Sequence, residues 1–382
     1  MLSGDWNYPT AVRAGAGRLV ELPEACAALG IERPLLVTDP GIASLPLLGT
    51  VVDASRAGGL EPRVYSQVKG NPTGDNVSVG ALSFAEHDCD GVIALGGGSA
   101  IDAAKAIALV AGQGMPLWDF EDVGDNWRRA DAAKIAPVVA VPTTAGTGSE
   151  VGRASVITDE AEQRKKIIFH PRMLPGQVIL DPEVTRGLPG KLTAATGMDA
   201  LSHSLEALCA PTYHPMAEGI AMEGMRLVKG YLPRAVANGD DMEARMQMLV
   251  ASSMGATAFQ KGLGAMHALA HSLGALYDAH HGLLNAILMP YVVETNASEV
   301  SDKLSRAAGY LQLPQASYSC FLNWILDLRA GIGIPNTLGE IGITAAECDR
   351  VGQMAVSDSA AAGNPVALTT DDYAKLFCQA VG

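Results

Sequence analysis

Three short apolar runs in the first half of the chain, each broken by a turn, limit the fold more than any other feature. PLLVTD (34–39) ends at Pro40-Gly41, GVIALGGGS (91–99) ends in glycines, and IAPVVAVPTT (135–144) ends in hydroxyls. Amphipathic helical stretches lie between them, AIDAAKAIALVA (100–111) being the clearest. A strand that is apolar on both faces needs cover on both faces, which helices crossing between parallel strands supply. The pattern predicts an α/β unit with a parallel, Rossmann-like sheet. After VILDPEVTRGLPG (178–190) the texture changes to Ala, Met and Leu with helical period, as in MEARMQMLVASSMGATAFQ. We therefore expect an α/β unit over 1–184 and an all-α unit over 185–382, with a cleft at their seam. A length of 382 residues exceeds one ordinary core and agrees with two.

The charge balance narrows the partners. The formal net charge is -14, and this diffuse acidity argues against nucleic acid or an anionic membrane surface as a main partner. Cysteines at 26, 89, 209, 320, 348 and 378 form no CxxC pair, so free thiols in a reducing compartment are expected. The opening MLSGDWNYPT has neither a basic region nor an apolar core like those of a leader, and no apolar run reaches the length of a membrane span. Cytoplasm is the expected location.

Two glycine- and hydroxyl-rich segments follow strands. In LGGGSAIDAAK (95–105) the glycines let the backbone approach a phosphate, and the helix that follows offers free N–H groups to an anion. PTTAGTGSE (142–150) presents hydroxyls suited to a nucleotide, or to their own turn. Open α/β sheets bind ligands at such strand ends. Asp39 closes the first clear strand, where a carboxylate accepts from ribose hydroxyls and repels a 2′-phosphate, favouring NAD over NADP. An aspartate that merely starts a Pro-Gly turn reads the same way.

Four of the eight histidines fall in HALAHSLGALYDAHHG (267–282). His267 and His271 share a helix face at four-residue spacing, as do Asp199 and His203 in GMDALSHSLEA (197–207). His281 follows His267 by fourteen residues, so an unbroken helix would return it to that face, unless Gly274 bends the path. One aspartate and two or three of these histidines suit a divalent ion, with Zn(II), Fe(II), Co(II) and Ni(II) all admissible. His87, His170 and His214 have no partners in pattern.

GNPT (70–73), GGGSAIDAAK, PTTAGTGSEV, ILDPEVT, GMDALSHSLEA and GAMHALAHSLGALYDAHHGLLNAILMP occur in this order. Together they resemble the iron-containing (group III) alcohol dehydrogenase family, from GAGRL near residue 17 to GNPVALT near 369. The resemblance implies a dehydroquinate synthase-like architecture, an NAD(P)-binding α/β domain followed by a helical metal-binding domain. It implies Asp199, His203, His267 and His281 as metal ligands, with Fe(II) ahead of Zn(II). His271 becomes a candidate for proton transfer, and His280 a neighbour on the substrate side. Gly96, Gly97, Gly98 and Ser99 match the pyrophosphate turn, Thr143, Thr144 and Thr147 the threonines lining the cofactor, and Asp39, Asp102 and Leu180 complete the cofactor set.

The implied reaction is hydride transfer between a metal-bound small primary alcohol or hydroxy acid and nicotinamide, with a homodimer or larger oligomer as the expected assembly. Arg153, after GSEV, and Lys261, before the histidine helix, stand where many relatives carry other residues. Two cations there suit an anionic substrate group, as in 4-hydroxybutyrate, unless they pair with local acids. Lactaldehyde reductases, polyol dehydrogenases and the lyase dehydroquinate synthase are alternatives on the same scaffold, and a non-enzymatic nucleotide- or metal-binding protein is another.

Overall fold

The computed structural model describes residues 4–6 and 9–382, so the reading that the first ten residues lack the features of a leader falls partly outside the described residues. The chain folds as two compact units, Met1–Thr144 with Gly148–Gly187, and Ala145–Thr147 with Leu188–Gly382.

The first unit is built on a seven-stranded sheet. Its strands are β1 (Gly4–Trp6), β2 (Ala11–Ala14), β3 (Pro34–Val37), β4 (Arg63–Tyr65), β5 (Gly91–Gly96), β6 (Val138–Pro142) and β9 (Gln177–Leu180). They lie in the order β1-β2-β9-β6-β5-β3-β4, parallel throughout except for the antiparallel edge strand β1. The three apolar runs are β3, β5 and β6, and every residue of these strands is buried. Helices α1 (Pro46–Ala57), α2 (Gly74–Glu86) and α3 (Gly98–Val110) cross between successive strands from β3 to β6. Leu36, Ile93, Leu95, Val139, Val141 and Ile179 form a core with the helix Leu22–Ala27.

From β3 the chain winds outward to β4, then back across β3 to β5, β6 and β9. The winding direction reverses between β3 and β5, which splays the following loops apart and opens a crevice at the strand ends. Asp39 follows β3 and the glycine turn follows β5, so the reversal places both at that crevice. An antiparallel hairpin, β7 (Ala154–Asp159) and β8 (Arg164–Phe169), interrupts the alternation. The sequence reading missed it, because RKKIIF carries charges where an apolar strand was sought.

In the second unit every regular element among the described residues is helical. The longer helices are α4 (Gly190–Cys209), α5 (Pro215–Ala237), α6 (Met242–Ala258), α7 (Ala265–Tyr277), α8 (His281–Thr295), α9 (Ala297–Tyr310), α10 (Tyr318–Gly331), α11 (Cys348–Ser357) and α12 (Thr370–Val381). Almost all of α4 from Thr193 onward is buried, which makes it the central helix that its neighbours surround. One expectation is corrected here. Cys348 on α11 and Cys378 on α12 are joined in a disulfide, while Cys26, Cys89, Cys209 and Cys320 are free. Helix packing brings together two cysteines whose separation of thirty residues carries no signal.

Candidate metal centre and cofactor turn

Asp199 and His203 stand one turn apart on α4 and face His267, in the first turn of α7. All three are buried, and one ligand atom from each lies within 4.8 Å of the others. His281 joins them, with Nε2 3.7 Å from Asp199 Oδ1 and its ring 5.4 Å from that of His267. It does not arrive by an unbroken helix. Gly274 lies inside α7, and the helix stops at Asp278, whose left-handed conformation (φ 50°) redirects the chain. His281 then opens a new helix, α8, with His280 as its cap. The expected fourteen-residue helical return is therefore replaced by a break that re-aims the chain.

The surroundings set which ring nitrogens face inward. Glu206, two turns along α4 from Asp199, places Oε2 2.7 Å from His267 Nδ1. The same carboxylate accepts from the backbone N–H groups of Gly264 and Met266, both at 2.8 Å, at the start of α7. A helix N-terminus is a favourable place for a carboxylate, so one group caps α7 and orients His267 together. With Nδ1 donating to Glu206, the lone pair of Nε2 points into the cluster. Burial pushes the pKa of His267 down, but the bond and charge of Glu206 outweigh it and leave the pKa raised. His203 is pushed down to about 4, chiefly by burial, and is neutral at pH 7. Its Nδ1 lies 3.2 Å from the carbonyl of Gly146, which leaves its Nε2 lone pair free as well.

Asn285, one turn after His281, gathers the set. Its amide nitrogen donates to Asp199 Oδ1 at 2.8 Å and lies 3.2 Å and 3.1 Å from Nε2 of His267 and His281. A buried carboxylate with inward-facing imidazole lone pairs is the donor chemistry of a divalent cation site, and the residues fit one. His271 stacks on His281 at 5.3 Å, and its Nδ1 is 3.0 Å from Asp358 Oδ2.

In the first unit, the turn after β5 is shaped for close approach. A Cβ on Gly96 (φ 148°) would stand 2.7 Å from Ala100 Cβ and 3.3 Å from Asp39 Oδ2. On Gly97 it would stand 3.1 Å from Thr144 Oγ1. Gly97 caps α3 without any side-chain bond, so the first-turn N–H groups from Gly98 and Ser99 have no capping side chain. Asp39 starts the turn, Oδ1 accepting from Ile42 N at 3.0 Å, while Oδ2 lies toward Gly96. The buried hydroxyl of Thr38 has no hydrogen-bond partner among the described residues. A side-chain-free cradle, an uncapped helix start and an orphan hydroxyl together fit a dinucleotide.

Other members of the expected cofactor set are placed as follows. Thr143 donates its N–H to Gly96 O at 2.9 Å, and Ser99 donates its hydroxyl to the Gly70 carbonyl of GNPT. Leu180 is fully buried, and its carbonyl accepts from Gly15 N. The carboxylate of Asp102 is engaged within the protein, by Ser149 Oγ, by Val156 N at 2.9 Å and by Lys105. Thr147 is half-buried and belongs to the short stretch that folds with the second unit.

Comparison with known proteins agrees along the whole chain. A family model described as iron-containing alcohol dehydrogenase matches residues 9–182, and one for the C-terminal part of the Fe-containing alcohol dehydrogenase family matches 193–381. The chain belongs to the iron-containing alcohol dehydrogenase family. A 4-hydroxybutyrate dehydrogenase of Cupriavidus necator is 38% identical, with 98% of this chain and 99% of that protein covered. An NAD-dependent methanol dehydrogenase of Bacillus methanolicus is 34% identical, with 98% of each covered. A crystal structure of a 1,3-propanediol oxidoreductase superposes with a TM-score of 0.90 at 33% identity, covering 97% of both chains. As a member of this family, the protein is an oxidoreductase acting on CH–OH groups.

For this iron-containing dehydrogenase the three substrate-side candidates separate. Lys261 is corrected: its ammonium is buried and donates to the carbonyls of Ala207, Leu208 and Ala210 at 3.0, 3.1 and 2.5 Å. Glu218 lies 3.3 Å away, so this cation caps the end of α4 and is not presented to an anionic substrate. Arg153 is exposed, with its guanidinium over the Phe169 ring at 5.7 Å. His280 is exposed and accepts from Leu283 N at 3.3 Å, as the cap of α8. Sequence reasoning missed Glu206, Asn285 and Asp358. The first lies inside GMDALSHSLEA at helical spacing from Asp199, and the second follows His281 by four, so spacing held a signal for both. Asp358 sits far along the chain from His271 and gave none.

Proposed function

We propose that the protein is a metal-dependent, NAD-linked dehydrogenase of small primary alcohols or hydroxy acids, which in the reverse direction is an aldehyde reductase. The convergence of Asp199, His203, His267 and His281, with lone pairs turned inward, is the observation that carries this reading. When bound, a divalent ion supplies Lewis acidity to the substrate oxygen and NAD supplies the hydride acceptor. Asp199 and the three imidazoles hold the ion, and Glu206 keeps the proton of His267 on Nδ1. His271, held by Asp358, is the group that passes the alcohol proton toward solvent. Gly96, Gly97, Gly98 and Ser99 receive the pyrophosphate. Asp39 Oδ2 receives the ribose hydroxyls and disfavours a 2′-phosphate. The NAD-dependent relative supports this choice of cofactor.

The 4-hydroxybutyrate dehydrogenase among the relatives and the exposed guanidinium of Arg153 favour a hydroxy acid within this class. Metal-stripped protein reloaded with Fe(II) or Zn(II) should reduce NAD with 4-hydroxybutyrate, butanol or 1,3-propanediol. No NADH with any metal and alcohol would sink the main reading. Arg153→Ala should raise KM for 4-hydroxybutyrate and leave butanol unchanged; equal effects on both would remove the hydroxy-acid reading. A cytoplasmic homodimer or larger assembly fits the family, and light scattering of the purified protein tests the assembly. Among the described residues no helix is long and apolar enough to cross a membrane.

A further inference from the structure

Lys105 is a charged residue for which the reaction above has no use, yet it is 1% exposed in the middle of α3. Its ammonium donates to Ser149 O at 3.0 Å and to the carbonyl of Ala154, and lies 3.2 Å from Asp102 Oδ1. An ammonium has three hydrogens, so all of them are engaged. Asp102, one turn earlier, accepts from Ser149 Oγ through Oδ1 and from Val156 N through Oδ2. Burial pushes the amine of Lys105 down in pKa, and Asp102 opposes that. The pair therefore forms a buried clasp between α3, the turn Ser149–Val151 and the start of β7.

The same loop is also fastened at its other end. Thr143 donates its N–H to Gly96 O at 2.9 Å, and Thr144 packs where a Cβ of Gly97 would be. The hydroxyl-bearing loop is thus tied to the glycine turn at one end and, at the other, to the helix that the turn opens. A loop already held in place is not ordered again when a ligand binds, which strengthens binding without any new contact.

We infer that Lys105 and Asp102 are positioning residues for the dinucleotide, acting through the 143–151 loop and not by touching the cofactor. This rests on the reading that NAD occupies the glycine turn. It accounts for an aspartate of the cofactor motif whose carboxylate is turned to the protein.

The test is NADH binding by fluorescence titration of metal-loaded protein, with metal content and melting temperature measured alongside. If the wild type binds no NADH, the cofactor reading itself fails. If it binds, Lys105→Met, which keeps length and removes the donors, should weaken NADH about ten-fold or more. KM for NAD should rise, with kcat at saturating NAD and bound metal both retained. Wild-type NADH affinity in Lys105→Met would overturn the inference, as would a fall in kcat and metal content with the affinity of the folded fraction unmoved. Should Lys105→Met not fold, Ser149→Ala and Asp102→Asn decide: weaker NADH binding supports the clasp, and unchanged binding overturns it.

Discussion

Glu206 holds His267 by its far nitrogen, with Oε2 2.7 Å from Nδ1, and this is what suits His267 to the proposed role of metal ligand. Replacing Glu206 by Gln removes the charge and one of the acceptors shared by His267, Gly264 and Met266. Metal affinity should fall about 10–100-fold, read as metal retained after dialysis against a competing chelator. His203 gives a pH signature in metal-stripped protein. Its folded pKa of about 4 is below its unfolded value, so the folded state resists protonation. Stability from this residue is complete above about pH 6.5 and declines as pH falls toward 4, by up to about 3 kcal/mol. His267, raised by Glu206, acts in the opposite sense, its share being lost as pH rises through its raised value. Urea midpoints across that range should fall on acidification, and should do so less in His203→Gln. At this scale the candidate ligands were legible from spacing and motif, and their supports were not. Glu206 was visible in the motif, but spacing does not tell what a buried acid touches. Lys261 looked like a substrate cation because sequence does not show that its ammonium ends among three carbonyls.

Helices α4 and α8 meet closely at Gly282. A Cβ there would stand 2.6 Å from Ala195 O and 3.1 Å from Asp199 Cβ. Backbone cannot yield as a flexible side chain does, so Gly282→Ala should push α8 away from α4 and carry His281 with it. The expected cost is about 1–3 kcal/mol in denaturant unfolding, together with weaker metal binding. The apolar strands and the long Ala- and Met-rich helices were legible as elements because their burial is written in their periodicity. The hairpin β7–β8 was not, since charged edge positions hide a strand whose pairing is local. Nor was the stop at Asp278, a non-glycine residue in a left-handed conformation that turns an expected continuous helix into two. The disulfide between α11 and α12 belongs here too, because only the packing of those helices brings its sulfurs together.

For the molecule as a whole, metal binding belongs to folding. The proposed ligands come from α4, α7 and α8 of the second unit, so an ion that binds only the folded form stabilises that unit by mass action. Free metal at 100 times its Kd should add about 2.7 kcal/mol, seen as a higher melting temperature that a chelator reverses. An unchanged melting temperature on reloading would contradict the ligand assignment. The sequence by itself determined the two textures, the parallel sheet, the glycine turn, the four-residue spacing that pairs Asp199 with His203, and the motif that singles out His267 and His281. These are local or periodic properties, and a buried face or a tight turn must be encoded where it occurs. Only the tertiary structure decided that β3 and β5 flank the reversal of the sheet and that Glu206 reaches His267. It likewise placed Asn285 among the candidate ligands and clasped Lys105 to a loop forty-four residues away. Those relations depend on where elements distant in sequence meet, and no local pattern records that.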